Sequence, residues 1–198
     1  MTPFCPLHRL FRLALLLGPL AAQAAPVTVQ LRGPSGQPLA GAAVAVEVKG
    51  RTGKTTTAKA EVGQRDRQFV PQFLIVQTGT AVNFPNFDTV RHHVYSFSPI
   101  KVIDIKLYSG TPAEPIVFDK PGVATLGCNI HDRMSAYVIV VDTPTFARTD
   151  DKGQATFDLP PGEHVVKAWH AGQKAPTLQN LKLDVPATGG ASVLTLAD

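Results

Sequence analysis

The sequence predicts an all-β protein, and three observations carry that expectation. Short runs rich in Val, Ile, Thr and Phe recur at residues 27–31, 43–48, 73–76, 81–84, 93–97, 103–108, 123–126, 137–141, 155–159 and 165–169, separated by Gly and Pro turns. The stretches Val27-Thr28-Val29-Gln30-Leu31 and Val44-Ala45-Val46-Glu47-Val48 alternate as strands with one wet face do. Past the N-terminal leader, no stretch keeps the helical period of a buried helix.

Arg9 and Arg12 give a positive start, and Leu13-Ala14-Leu15-Leu16-Leu17 begins an apolar core too short to span a bilayer. Ala22-Gln23-Ala24 is a small-residue cleavage signal, so residues 1–24 read as a signal peptide and the mature chain is expected to begin at Ala25. Cys5 lies ahead of the apolar core and not at the cleavage site, which excludes a lipidation cysteine. No later stretch approaches the ~20 apolar residues of a membrane helix. The expectation is a periplasmic or secreted protein without stable membrane insertion.

Export changes the charge and cysteine arithmetic. Losing Arg9 and Arg12 takes the basic residues from 19 to 17 against 15 acids, so the formal net charge falls from +4 to +2. That is too small a charge to argue for nucleic acid, and no basic block is interleaved with aromatics. Of the two cysteines, Cys128 alone remains. An oxidising compartment uses cysteines in pairs, so a lone thiol there needs an occupant or deep burial.

Two separated stretches look like halves of one module. Gly33-Pro34-Ser35-Gly36-Gln37-Pro38-Leu39-Ala40-Gly41-Ala42 is a turn feeding the strand at 43–48. Near the end come Thr149-Asp150-Asp151-Lys152-Gly153 and Leu159-Pro160-Pro161-Gly162, then the strand at 163–170. In order, these resemble the small transthyretin-like sandwich of carboxypeptidase regulatory domains. The resemblance implies that residues 25–62 and 143–198 form one split sandwich, with a second β-domain at 63–142 between them. One continuous sandwich with extra strands is the alternative.

The chemistry concentrates in Cys128-Asn129-Ile130-His131-Asp132-Arg133-Met134, where thiolate, imidazole and thioether recur at third positions of one loop. Those are the donors a blue-copper site combines: a thiolate and imidazoles in a trigonal plane, with a weak axial thioether. Upstream, Arg91-His92-His93-Val94 supplies two candidates for the remaining imidazole, and alternating strand geometry allows only one of them to face the metal.

The middle segment resembles the cupredoxin family, its plastocyanin, pseudoazurin and amicyanin members. The run Phe69-Val70-Pro71-Gln72-Phe73-Leu74-Ile75-Val76-Gln77-Thr78-Gly79-Thr80-Ala81-Val82-Asn83-Phe84 is similar to the family's entry strands. Arg91 through Phe97 is similar to its "H-N-V-x-F" ligand strand, and Phe118-Asp119-Lys120-Pro121-Gly122 to its "F-x-x-P-G" turn. Cys128 to Met134 is C-x-x-H-x-x-M, the amicyanin spacing, and Ala136-Tyr137-Val138-Ile139-Val140 matches the closing strand. The resemblance implies a cupredoxin-like Greek-key sandwich binding one copper ion through His92, Cys128, His131 and Met134. His93 is the alternative to His92, because it stands where the family has an Asn that ties the ligand segments together.

Other readings fit less well. A zinc site on His92, Cys128 and His131 leaves Met134 without a role, and no C-x-x-C-H haem motif is present. A cysteine nucleophile is poorly served by a His three residues on in the same turn. Gly53-Lys54-Thr55 lacks the first Gly of a phosphate loop. Trp169 reads as a core or edge residue of the C-terminal sandwich, His164 and His170 as surface or satisfied histidines, and Asp132 and Arg133 as the solvent face of the ligand loop. Asp88 and Arg91 read as members of a solvated loop.

The expected function is that of a non-catalytic carrier of single electrons between periplasmic redox proteins, a dehydrogenase among them. The alternative is a periplasmic copper-handling protein for storage or delivery. Oligomeric state is left open by the sequence.

Overall fold

The structure is a computed structural model and describes residues 23–51, 53 and 55–198. The leader's charged and apolar regions, with Cys5, Arg9 and Arg12, lie outside the described residues. So does Lys54. Among the described residues there is no helix, and hence none long and apolar enough to cross a membrane.

The strands follow one another in three groups. β1 (Ala25–Arg32) and β2 (Ala43–Glu47) come first. The middle holds β3 (Lys59–Glu61), β4 (Gly63–Arg65), β5 (Gln68–Val70), β6 (Phe73–Gln77), β7 (Thr80–Asn83), β8 (His92–Ser98), β9 (Lys101–Tyr108), β10 (Ile116–Phe118), β11 (Gly122–Gly127) and β12 (Ser135–Val141). β13 (Phe146–Arg148), β14 (Gln154–Leu159), β15 (Gly162–Trp169), β16 (Gln179–Val185) and β17 (Gly190–Thr195) follow.

β1 runs between β14, antiparallel, and β17, parallel. β2 lies between β13 and β15, with β16 outside β15. The two sheets enclose one core: Val27, Val29 and Leu31 from β1, Val44 and Val46 from β2, and Phe157, Leu159, Val166 and Leu183 from the later strands. The two sequence signatures that looked like halves of a module bind each other directly. Thr149 Oγ1 accepts from Ala42 N at 2.8 Å and donates to Leu39 O at 2.6 Å. Asp150 closes the following turn by accepting from the amides of Lys152 and Gln154. Gly153 sits there at φ 72°, where a Cβ would come 2.7 Å from Leu31 O.

The middle strands build a second sandwich. A five-stranded sheet in the order β6-β12-β11-β8-β9 faces a smaller sheet, β10-β7-β3, and β4 and β5 form a hairpin beside them. Val76, Val82, Phe84, Val94, Phe118, Leu126, Val138 and Val140 fill the space between. β3, which stands ahead of the boundary drawn at residue 63, pairs in parallel with β7 (Lys59↔Ala81); its partner therefore lies in the middle sandwich.

A third apolar layer joins the two sandwiches. β2 turns Val44 and Val46 into its own core and Ala43 and Ala45 outward. β12 likewise gives Val138 and Val140 to one side and Tyr137, Ile139 and Val141 to the other. The outward residues meet each other, with Phe73, Val123 and Trp169. Burial on both faces explains why β12 reads as a nearly continuous apolar run. Trp169 closes this layer, its ring 4.8 Å from Tyr137 and 5.9 Å from Phe73, with Nε1 donating to Ala175 O. It faces out of its own sandwich into the junction, where the sequence suggested a core or edge position within that sandwich.

Candidate metal centre

The site is assembled by strand order. β8 begins at His92, and its neighbour β11 ends at Gly127, whose Cα partner is Tyr95. β11 and β12 are joined by the loop 128–134, so the loop closes over the end of the sheet where β8 starts. Cys128 N donates to Met134 O and Met134 N to His131 O, which fixes the loop as a compact turn.

Three donors converge there. Cys128 Sγ lies 3.9 Å from His92 Nδ1 and 4.0 Å from His131 Nδ1, and the three donor atoms all lie within 4.8 Å of one another. Bonds of roughly 2.0–2.3 Å spread at 120° around one ion would set each nitrogen roughly 3.7 Å from the sulfur, within a few tenths of an ångström of the two sulfur–nitrogen separations. Met134 is buried in the same apolar cluster as Cys128. One cysteine and two histidines, with a methionine buried in the same cluster, are a residue set that suits copper. Cys128 and His92 are buried; His131 is half-buried and meets solvent.

His92 and His93 point to different surroundings. His92 faces Cys128, while His93 Nε2 lies 2.7 Å from Asp104 Oδ1 on β9. His93 Nδ1 is buried without a hydrogen-bond partner. Asp104 is held below the usual carboxylate range by Lys106 first and His93 second. His93 therefore ties β8 to β9, where the resemblance assigned its position to linking the ligand segments.

Asp88 corrects the sequence reading. It is not a free member of a solvated loop: its carboxylate accepts from the amides of Asp66 and Arg67 at 2.7 and 2.9 Å, and Oδ2 lies 2.7 Å from His92 Nε2. Burial alone would raise its pKa, but the Arg67 amide, the His92 ring and the Asp66 amide outweigh burial and hold it below the ordinary value. A carboxylate on the outer nitrogen of a ligating imidazole fixes the tautomer and aims the other nitrogen. Arg91, by contrast, is exposed. Asn86 organises the same loop by donating to Val90 O and Tyr108 O and accepting from Asp88 N.

Behind His92 stands a buried polar pair the sequence did not single out. Gln64 is fully buried, and its Nε2 donates to Phe84 O at 3.1 Å; the Tyr108 hydroxyl donates to the same carbonyl and meets Gln64 Nε2. Burial pushes the Tyr108 hydroxyl up to about 12, with the neighbouring Cys128 adding to the rise and Gln64 opposing it. Among the described residues, the remaining histidines, His164 and His170, serve the other sandwich. His164 accepts from Lys49 N and pairs with Pro160 O, and His170 accepts from Gly172 N. Asp132 and Arg133 are exposed.

No protein-family model matches the chain, and no curated protein matches it in sequence. Among solved structures, a purple cupredoxin from Nitrosopumilus maritimus is 23% identical over 42% of this chain and 99% of its own, with a TM-score of 0.35. Amicyanin from Paracoccus versutus is 20% identical over 48% of this chain and 97% of its own, at 0.38. A Cu-containing nitrite reductase from Thermus scotoductus is 22% identical over 48% of this chain at 0.39, and the chain spans only 24% of that enzyme. These scores are too low to carry an argument. The fold stands on the strand pairing, and the site on its own donor geometry.

Proposed function

We propose that this chain is an exported cupredoxin-like protein that holds one mononuclear copper through His92, Cys128, His131 and Met134 and carries single electrons between periplasmic redox partners. The observation that carries the reading is the His92–Cys128–His131 triangle, with Met134 buried beside it. Bound copper would supply one-electron chemistry at a site with one thiolate.

The protein's own residues supply the rest. Asp88 aims His92 Nδ1 at the site and anchors the loop that carries it. Burial keeps the Cys128 sulfur from solvent and oxidants, which accounts for a lone cysteine in an exported chain. Half-buried His131 gives the site a route to the surface. Anchoring the donors on adjoining strands and one tight turn resists reorganisation, which suits a carrier more than an enzyme.

We read the outer strands as a regulatory-type sandwich into which the copper unit is inserted, on the ground that β1 and β2 pair with β13, β14, β15 and β17. The test of the copper reading is to load the mature chain with Cu(II). An intense visible thiolate-to-copper band and a narrow hyperfine splitting in electron paramagnetic resonance are expected, both lost in Cys128→Ser. A chain that stays colourless with Cu(II) refutes it.

A further inference from the structure

We infer that the uncovered half of the outer face of the five-stranded sheet is a docking surface for a one-electron redox protein that presents an apolar contact face, and that Tyr95 links this surface to Cys128. The inference rests on the copper reading above.

The face is divided. On β6, β12 and the start of β11 it is buried under the second sandwich through Phe73, Tyr137, Ile139 and Val123. On β8 and β9 the same face is exposed at Phe97 and Val102, while His93 is buried and Tyr95 half-buried. Register places Gly127, Tyr95 and Asp104 in one row and Phe97 beside Val102 in another. Phe97 is 81% exposed and Val102 71%, so two large apolar side chains stand in water next to an established apolar junction.

The patch connects inward. The rings of Phe97 and Tyr95 lie 5.3 Å apart. Tyr95 lies over Gly127, where a Cβ would come 2.6 Å from its Cζ. A glycine there lets the ring rest on the backbone immediately before Cys128. An electron entering at Phe97 thus has packed rings and one peptide unit between it and the thiolate. The step passes a single electron between the partner's redox group and the site, and no bond is made or broken.

Size and charge select the occupant. A stable dimer needs about 800 Å² per partner, far more than Phe97, Val102 and the edge of Tyr95 offer, whereas a short-lived electron-transfer encounter needs less. Most charges at the rim are paired within the chain, Lys101 with Asp119 at 3.1 Å and Lys106 with Asp104 at 2.6 Å, and Lys120 beside Asp119 is left over. The face therefore offers apolar surface with little net charge at its rim.

The test uses the copper-loaded full mature chain, its visible band recorded first, with ferrocytochrome c as probe in stopped-flow mixing. Phe97→Ser combined with Val102→Ser is expected to lower the second-order rate about tenfold with the band unmoved. Tyr95→Leu is expected to lower the rate while leaving the probe's binding, followed by NMR line broadening, in place. A normal band with unchanged rates in the double variant overturns the inference alone, as does a loss seen instead in Ile130→Ser, which would move docking to the His131 end. A wild-type dimer in sedimentation that the double variant dissociates also overturns it in favour of self-association. A chain that gives no Cu(II) band overturns the site reading and this inference with it.

Discussion

Asp88 Oδ2 lies 2.7 Å from His92 Nε2, at the opposite nitrogen of the ring from the one that faces Cys128. The same carboxylate takes both amides of the β4–β5 turn, at Asp66 and Arg67. One side chain thus fixes a turn, a loop and the orientation of an imidazole. Asp88→Asn keeps the shape but loses the charge, and at least one of the three donors loses a good acceptor. Copper affinity is expected to fall about 10–100-fold, measured by competition with a chelator, while the visible band persists.

His92 and His93 are adjacent in sequence and face different partners. His92→Ala is expected to abolish the visible copper band, because it removes the nitrogen 3.9 Å from Cys128 Sγ. His93→Ala is expected to keep the band, since its ring pairs with Asp104 on β9. Absorbance of the two loaded variants decides; the reverse pattern would exchange their roles.

Trp169 is the one tryptophan of the chain and lies in the junction between the sandwiches. Trp169→Ala removes a ring packed on Tyr137 and Phe73. Unfolding stability is expected to drop by about 3–5 kcal/mol, read from denaturant titration by circular dichroism. A loss well under 1 kcal/mol would mean that the two sandwiches hold together without this layer.

Gly127 carries no side chain at the place where Tyr95 lies on β11. Gly127→Ala puts a methyl within 2.6 Å of the Tyr95 ring, so the ring or the strand must shift. A destabilisation of about 1–3 kcal/mol is expected from such overpacking. Thermal unfolding measures it, and Gly127→Ala combined with Tyr95→Ala should recover much of the loss.

Acid titration of Asp119 provides a pH test away from the metal centre. Lys101 holds the Asp119 carboxyl below 3.8, first through their hydrogen bond and then through charge. A depressed carboxylate stabilises the fold above its unfolded pKa, and that contribution is lost as pH falls through the lower folded value. Stability should therefore decline more steeply with acid below pH 3.8 in the wild type than in Asp119→Asn. The difference is expected to be small, because both partners are solvent-screened. Parallel melts across the acid range would show it, and identical acid slopes would count against the pair.

The order of donor types, the alternating strands and the turn signatures are all local properties of the chain, and the sequence determined them. Residues 128–134 bring thiolate, imidazole and thioether together because one turn spans them. The strand runs at 27–31 and 155–159 fall within β1 and β14 because alternation is a property of each strand by itself. Short or polar strands escaped: β3, β4 and β13 have three residues each, and β16 carries Asn180, Lys182 and Asp184 on its exposed side. They are strands because of the partners that pair with them, and no run of three residues announces its partner.

Tertiary structure alone decided the long-range relations. Asp88 looked like loop because its value lies in three donors that only the folded loop brings to it. The parallel pairing of β1 with β17 joins the two ends of the described chain. Ala45, Ile139 and Trp169 are apolar in any reading, but which surface covers them follows from two sheets meeting face to face. The same meeting leaves Phe97 and Val102 bare. Hydrophobic pattern says that a residue seeks cover; only the assembled layers say what covers it and what stays open to a partner.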